Sequence, residues 1–231
     1  MFWLLIGCGL GRSFRVAGRG GDMNYLEYFF PGTLILIVLF TAVFSMISVI
    51  EDRREGYLQA VLASPTPRTA IALGKILGST TLAVGQAAVF LLLTPWVTGV
   101  SVSAGAVVLS LLVLTIVGVG LSALGFLIAW PMDSTQGFHA IMNLFLIPMW
   151  LLSGALFPGA GASAWLAWVI RMNPLTYGVS ALRQSLYLGA DGGAGAGPSL
   201  AVSIAVTIVF ASAATALAAR LVAGTARPRT A

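Results

Sequence analysis

Residues 51–75 read EDRREGYLQAVLASPTPRTAIALGK, a stretch that holds seven of the nineteen charged side chains in a chain with twelve Lys and Arg and seven Asp and Glu. On either side the sequence turns apolar: PGTLILIVLFTAVFSMISVI (31–50) precedes it and residues 76–100 follow, and neither run carries a charge. Each run is as long as the ~20 residues that a helix needs to cross the hydrocarbon core of a bilayer. The charged stretch is therefore a connection between two membrane spans. Composition agrees, since 58% of the chain is hydrophobic and 8% charged, against roughly 25% charged in an average soluble domain.

Further uncharged runs of spanning length lie near 104–130, 138–157 and 199–219. The connection at Ser101–Ser103 is short enough to make an antiparallel hairpin of the spans beside it, and PMDSTQG (131–137) is an equally short turn. Residues 1–11, MFWLLIGCGLG, cover half a bilayer; with no basic residues before them and no small-residue cleavage site after, they read as the end of a truncated first span. RSFRVAGRGGDMNYLEYF (12–29) reads as a polar, Gly-rich loop, and Pro31 is expected to open the first complete span. The fold class that follows is an all-α polytopic membrane protein with five full transmembrane helices and a partial first one. A chain of 231 residues so used leaves no soluble catalytic domain.

Several function classes drop out on composition. A single cysteine, Cys8, forms no intrachain disulfide, and without a Cys/His cluster no zinc or iron–sulfur site is expected. The net charge of +5 comes from basic residues scattered in loops with no aromatic-basic module, which points to membrane flanks and not to nucleic acid. Ion-coupled carriers and intramembrane proteases need titrating or nucleophilic groups at depth. His139 is the one titratable side chain in any assigned span, one turn from the polar edge, where it acts as an interfacial group or, on the sharper reading, as a proton relay. The chain also lacks a phosphate-binding loop: Gly74-Lys75 is followed by Ile76, and Thr69 stands where the first Gly would be. Uphill transport would need an ATPase on another chain.

Polar uncharged residues in the spans admit two readings. Thr41, Ser45 and Ser48, with Gln86 and Asn143, line a substrate path or serve as hydrogen-bonding glue between helices. The stripe Ser203, Thr207, Ala211, Thr215 reads as a close-packing face. Pro148 is expected to kink the fifth span.

Within the charged stretch, Gly56 follows five consecutive charges and precedes YLQAVL, whose Tyr57, Leu58, Val61 and Leu62 make one apolar side of a short surface helix. Gly56 is suited to the bend from a crossing helix to one lying along the surface. SPTP then breaks the helix, with Thr66 as the expected N-cap and Pro67 as the first turn of the next. Between the fifth and sixth spans, Trp165 and Trp168 favour a headgroup boundary, and Asn173-Pro174 should cap a second helix with Leu175, Val179, Leu182 and Leu186 along one side. A Gly-rich linker closes that segment. Basic residues number seven on the side of the charged stretch (Arg53, Arg54, Arg68, Lys75, Arg220, Arg227, Arg229) and five on the other (Arg12, Arg15, Arg19, Arg171, Arg183). The count by itself leaves orientation open.

The order of these features resembles that of ABC type-2 exporter permeases. The acidic-basic cluster and Gly leading to a Leu-rich helix, then SP, Arg and GK, resemble the loop after that family's second span. LLSGALFP followed by NPLTYGVSALRQSLYLG is similar to its fifth-span end and external hairpin, and YLEYFFPG to the approach to its second span. The resemblance covers nearly the whole chain. It implies a single transmembrane domain (1–231) with a cytoplasmic coupling loop at 51–75 and an external helical hairpin and linker at 158–197. The coupling role then falls on Glu51, Asp52, Arg53, Arg54, Glu55 and Gly56, with Leu58, Leu62 and Pro65. The hairpin residues are Pro158, Trp165, Trp168, Asn173, Pro174, Tyr177 and Arg183, which anchor it at the interface or close a lid over an exit. The implied partners are a cytoplasmic ABC ATPase subunit carrying ATP and Mg, and a second permease, the same chain or another. No cofactor is expected on this chain, and its expected place is the plasma membrane of a bacterium. The alternative is a non-transporting scaffold subunit of a larger membrane complex.

Overall fold

The computed structural model of the chain describes residues 16–18, 21–23, 25–63, 65–98, 102–156, 163–188 and 197–224. The half-span at 1–11, Pro158, and most of the Gly-rich linker lie outside the described residues. Apart from a two-strand ribbon, β1 (Val16–Gly18) against β2 (Gly21–Met23) with Val16 opposite Met23, every described element is helical. That ribbon occupies part of the stretch read as plain loop.

Helix α1 (Tyr25–Phe44) begins six residues before the expected start, with Pro31 inside it. A proline in the second turn removes the N–H that would bond the carbonyl four residues earlier. The Tyr187 hydroxyl, distant in sequence, donates to that Glu27 carbonyl at 2.7 Å, so tertiary structure offsets what the local rule forbids. At Ser45–Met46 the helix tightens into a turn, with Met46 N–H bonding the Val43 carbonyl and the Ser45 hydroxyl bonding the Thr41 carbonyl. Serine back-bonding of this kind bends helices. The span continues as α2 (Ile47–Arg54), so that residues 27–54 form one long apolar rod ending in charge.

Gly56 then turns the chain with φ +79, a conformation that a side chain disfavours. Helix α3 (Tyr57–Leu62) follows, and α4 (Arg68–Leu92) runs back along α1. Pro67, not Thr66, takes the cap position of α4, in extended conformation and without a side-chain cap bond. Helix α5 (Thr94–Thr98) leads to α6 (Ala104–Ala129), capped by the Ser103 hydroxyl, which accepts from the Ala106 N–H at 3.2 Å. Next come α7 (Thr135–Leu151), α8 (Ala164–Met172), α9 (Pro174–Leu186) and α10 (Leu200–Gly224).

Helix α6 is the axis of the bundle, packed by α1, α4, α9 and α10. Gly120 makes its close approach to α10 possible: a Cβ there would lie 2.8 Å from the Phe210 ring and 3.3 Å from the Ala211 Cα. Four described helices are long and apolar enough to cross a membrane: residues 27–54, 68–92, 104–129 and 200–224. The run expected to form the fifth span is the 17-residue α7, about 26 Å long against a hydrocarbon core of about 30 Å. It rests mainly on α1 and α2 through Phe138, Met142, Leu146 and Trp150, a stripe at every fourth residue. Outward faces are largely apolar, with Leu82 62%, Val89 60% and Val209 67% exposed. Such a surface is stable only against lipid or another protein.

Candidate functional site

The charged side chains collect at one end of the bundle, here called the elbow end, where α2 stops and α4 starts. Because α2 continues a span, its last turn spreads Glu51–Arg54 around the helix at 100° per residue. Asp52 and Arg53 face inward. The Lys75 ammonium lies 2.5 Å from the Asp52 carboxylate and donates to the Ser48 hydroxyl at 3.0 Å, which ties α2 to α4. Arg53 reaches the connection after α6: it donates to the carbonyls of Trp130 and Met132 and to the Asp133 carboxylate at 3.2 Å, with its guanidinium 5.4 Å over the Trp130 ring. The Arg54 Nε donates to the Asp133 carbonyl at 2.9 Å.

These contacts differ in weight. The Asp133 side chain is 82% exposed, and an exposed ion pair contributes at most about 1 kcal/mol. The carbonyls that Arg53 holds follow the C-terminus of α6, where unpaired acceptors and the helix dipole both favour a cation. Arg53 is thus chiefly a C-cap supplied from another helix.

Of the residues assigned to coupling on sequence grounds, Glu51, Arg54, Glu55 and Pro65 are exposed, as is Tyr57 beside them. Leu58 is not on the outer face but 5% exposed in the core, where it anchors α3. The Leu62 side chain lies outside the described residues. The outward surface of the elbow accordingly carries Glu51, Arg54, Glu55 and Tyr57, while Asp52, Arg53, Lys75 and Leu58 brace it from behind.

The five polar residues considered for a path do not converge. The Thr41 hydroxyl donates to the Gln86 Oε1 at 2.6 Å, joining α1 to α4. Ser45 and Ser48 donate to backbone carbonyls of their own segment. Asn143 is exposed on α7, and its side chain makes no hydrogen bond among the described residues. The buried polar cluster at mid-depth is a different one: Ser122 on α6 bonds Ser79 and Thr80 on α4 at 3.2 Å each, and Ser79 donates to the Ala42 carbonyl at 2.7 Å. Single hydroxyls in apolar helices carry no sequence signal that separates them from Thr81 or Thr115, which bond only their own helices.

At the opposite, hairpin end, Asn173 caps α9 as its sequence suggests, accepting from the Leu175 N–H at 3.0 Å with Pro174 at the first position. Its amide also donates to the Met149 carbonyl at the end of α7, 2.6 Å away. Trp165 and Trp168 are 70% and 65% exposed on α8, which has no buried residue. The Tyr177 hydroxyl donates to the Arg171 carbonyl, which closes the α8–α9 turn. Helix α9 does more than rest on a surface: Gly178 meets Val117 and the Ser185 hydroxyl bonds Ser110, both on α6. A small cavity lined by Val117, Leu121, Met149, Pro174, Thr207 and Phe210 marks where the ends of α7 and α9 meet the middle of α6 and α10.

Arg183, counted from sequence among the external charges, is tucked inside this end. Its guanidinium sits 3.9 Å over the Tyr28 ring and donates to the Gly154 and Tyr28 carbonyls, with no carboxylate among its described partners. Burial draws its pKa down, and Tyr28 and Tyr187 push it back up. Burial, with Glu27 nearby, raises the Tyr187 phenol, which keeps it a neutral donor to α1 at ordinary pH. No group of three or more His, Cys, Asp or Glu able to hold a metal ion occurs among the described residues.

Residues 3–187 match the family model described as ABC-2 type transporter. The chain is 25% identical over 187 residues to a "Putative transport permease ycf38" of Cyanophora paradoxa, covering 79% of this chain and 63% of that protein. It is 26% identical over 168 residues to a "Probable multidrug ABC transporter permease YbhR" of Escherichia coli K12, covering 72% of this chain and 45% of that one. A "Linearmycin resistance permease protein LnrN" of Bacillus subtilis is 27% identical over 162 residues, covering 69% and 41% respectively. The chain thus spans between 41% and 63% of the length of these relatives.

Proposed function

The chain belongs to the ABC-2 type transporter family, and from that premise we propose that it is the permease subunit of an ATP-driven exporter, paired with a second permease and driven by a separate cytoplasmic ATPase. The chain is a multi-pass membrane protein with four helices of spanning length and composition. The export direction, the pairing and the ATPase go beyond that and are the proposal.

The observation that carries it is the elbow. A span ends in a charged turn, Gly56 redirects the chain, and Glu51, Arg54, Glu55 and Tyr57 face outward while Asp52 ties the turn to α4, Arg53 to the connection after α6 and Leu58 to the core. A surface loop that only linked two spans would not require this bracing. A rigid projection at a membrane face is what a soluble motor needs to push against, and the chain has no phosphate-binding loop of its own. ATP and Mg then belong to the partner subunit. The plasma membrane of a bacterium is the setting this reading gives it, with the elbow inside.

The test is co-purification of the complete chain with its ATPase. Glu51→Lys with Glu55→Lys reverses the charge of the exposed face and leaves the inward contacts in place, so membrane insertion is expected to be unchanged and ATPase retention to fall at least tenfold. Equal retention by the double variant would remove the elbow from the docking surface. An ATPase whose hydrolysis rate is indifferent to this chain would instead favour a scaffold.

A further inference from the structure

Helix α7 is held at its two ends by groups that belong to the two ends of the molecule. At its start, Ser134 caps it, accepting from the Gly137 N–H at 3.1 Å. Asp133, one residue earlier, is gripped through its carboxylate by Arg53 and through its carbonyl by Arg54. At its finish, the Met149 carbonyl accepts from the Asn173 amide at the α8–α9 turn, and the Trp150 indole donates to the Gly32 carbonyl at 2.9 Å. Between these fastenings it lies on the α1–α2 rod chiefly by one stripe of side chains, flanked by Ile141, Met149 and the His139 ring against Phe44, and its other face is exposed.

A helix gripped at both ends and weakly packed along its length moves as a rod when one grip moves, because bending it would break backbone hydrogen bonds while sliding breaks only dispersion contacts. Helix α6, packed by four other helices, lacks that freedom. We infer that α7 is the element that carries movement of the elbow to the hairpin, and that Arg53 is the positioning residue that joins the elbow to it, with Asn173 as its counterpart at the far end. The inference rests on the exporter reading and adds to it the route through the membrane.

Arg53 is suited to the task by its chemistry. Its planar fork engages the Trp130 and Met132 carbonyls and the Asp133 carboxylate together, so the end of α6, the start of α7 and the last turn of α2 share one guanidinium. Lysine, a point charge on a flexible stem, keeps the attraction and loses the shared geometry.

The experiment uses the complete chain with its ATPase in nanodiscs of E. coli polar lipid. A nitroxide is placed at Leu151→Cys, exposed at the end of α7, on a Cys8→Ser background. Addition of ATP and vanadate is expected to change the label's spectrum. Arg53→Gln and Asn173→Ala should each cut that change, taken per ATPase retained, at least twofold while the spectrum without nucleotide stays as it was. Arg53→Lys should fall between. Asp133→Asn, which leaves the carbonyl contacts of Arg53, should keep most of the response. A response undiminished in Arg53→Gln overturns the inference, as does a label that stays still while a bound ATPase hydrolyses ATP. Failure of the unmodified chain to retain the ATPase would overturn the exporter reading and this inference together.

Discussion

Helices α6 and α7 follow one another across a five-residue connection and are held in opposite ways. Thirteen residues of α6 are buried, from Ala106 to Ala129, and four of α7. Helix α6 is fixed by packing against four other helices, with Gly120 letting α10 close on it and Ser122 bonding α4. Helix α7 is fixed by polar grips at its ends. Dense packing admits no small displacement without loss of contact, whereas a hydrogen bond to a carbonyl tolerates rotation about its ends. One helix serves as frame and the other as a part that can shift.

The largest expected effect falls on the frame. Gly120→Leu places a side chain where Phe210 and the Ala211 backbone already stand, and overpacking of this severity costs about 3 kcal/mol. Thermal unfolding in detergent should show a large loss, and wild-type stability in this variant would break the comparison at its stronger side. A smaller effect belongs to the grip. Trp150→Phe keeps most of the ring packing against Phe29 and removes the bond to the Gly32 carbonyl, at about 1 kcal/mol. A cost equal to that of Gly120→Leu would show that α7 is as firmly embedded as α6. The smallest effect is on the free face of α7, where Asn143→Leu should change unfolding by no more than about 0.5 kcal/mol. A substantial loss there would mean that another protein surface covers this face in the membrane.

The two ends of the molecule offer a parallel contrast between Arg53 and Arg183. Both hold backbone carbonyls, but Arg53 has a solvent-exposed carboxylate beside it, while Arg183 has the Tyr28 ring and no described acid. A cation buried without a counter-ion is costly to place and strongly destabilising to rearrange. Arg183, Tyr28 and Tyr187 accordingly make a firm joint between α9 and α1, and the Arg53 joint at the elbow end is the more exposed of the two.

Much of this was legible beforehand, and its legibility follows range. The turn at Gly56 and the cap at Asn173-Pro174 depend on a few neighbouring residues, and both stand where the sequence puts them. Pro31 misled because its local preference for a helix start was overridden by a hydroxyl 156 positions further along, on Tyr187. The apolar side read along α3 divides, with Leu58 5% and Tyr57 61% exposed, because the bundle decides which part of a six-residue helix is buried.

The sequence by itself determined that this is a membrane protein of several spans, that charge is confined to their ends, and that a bent connection follows the first complete one. Those conclusions rest on hydropathy over a span's length and on backbone preferences, which are properties of short segments. Only the tertiary structure decided which side of each helix meets protein, which charges turn inward, and that α7 lies at the edge of the bundle. The reason is the solvent: in water a buried face differs from an exposed one in polarity, but in lipid both are apolar, so the pattern of residues along α6 or α10 does not record which face is covered. That information exists only where distant helices meet, in contacts such as Ser122 with Ser79 and Arg53 with the end of α6.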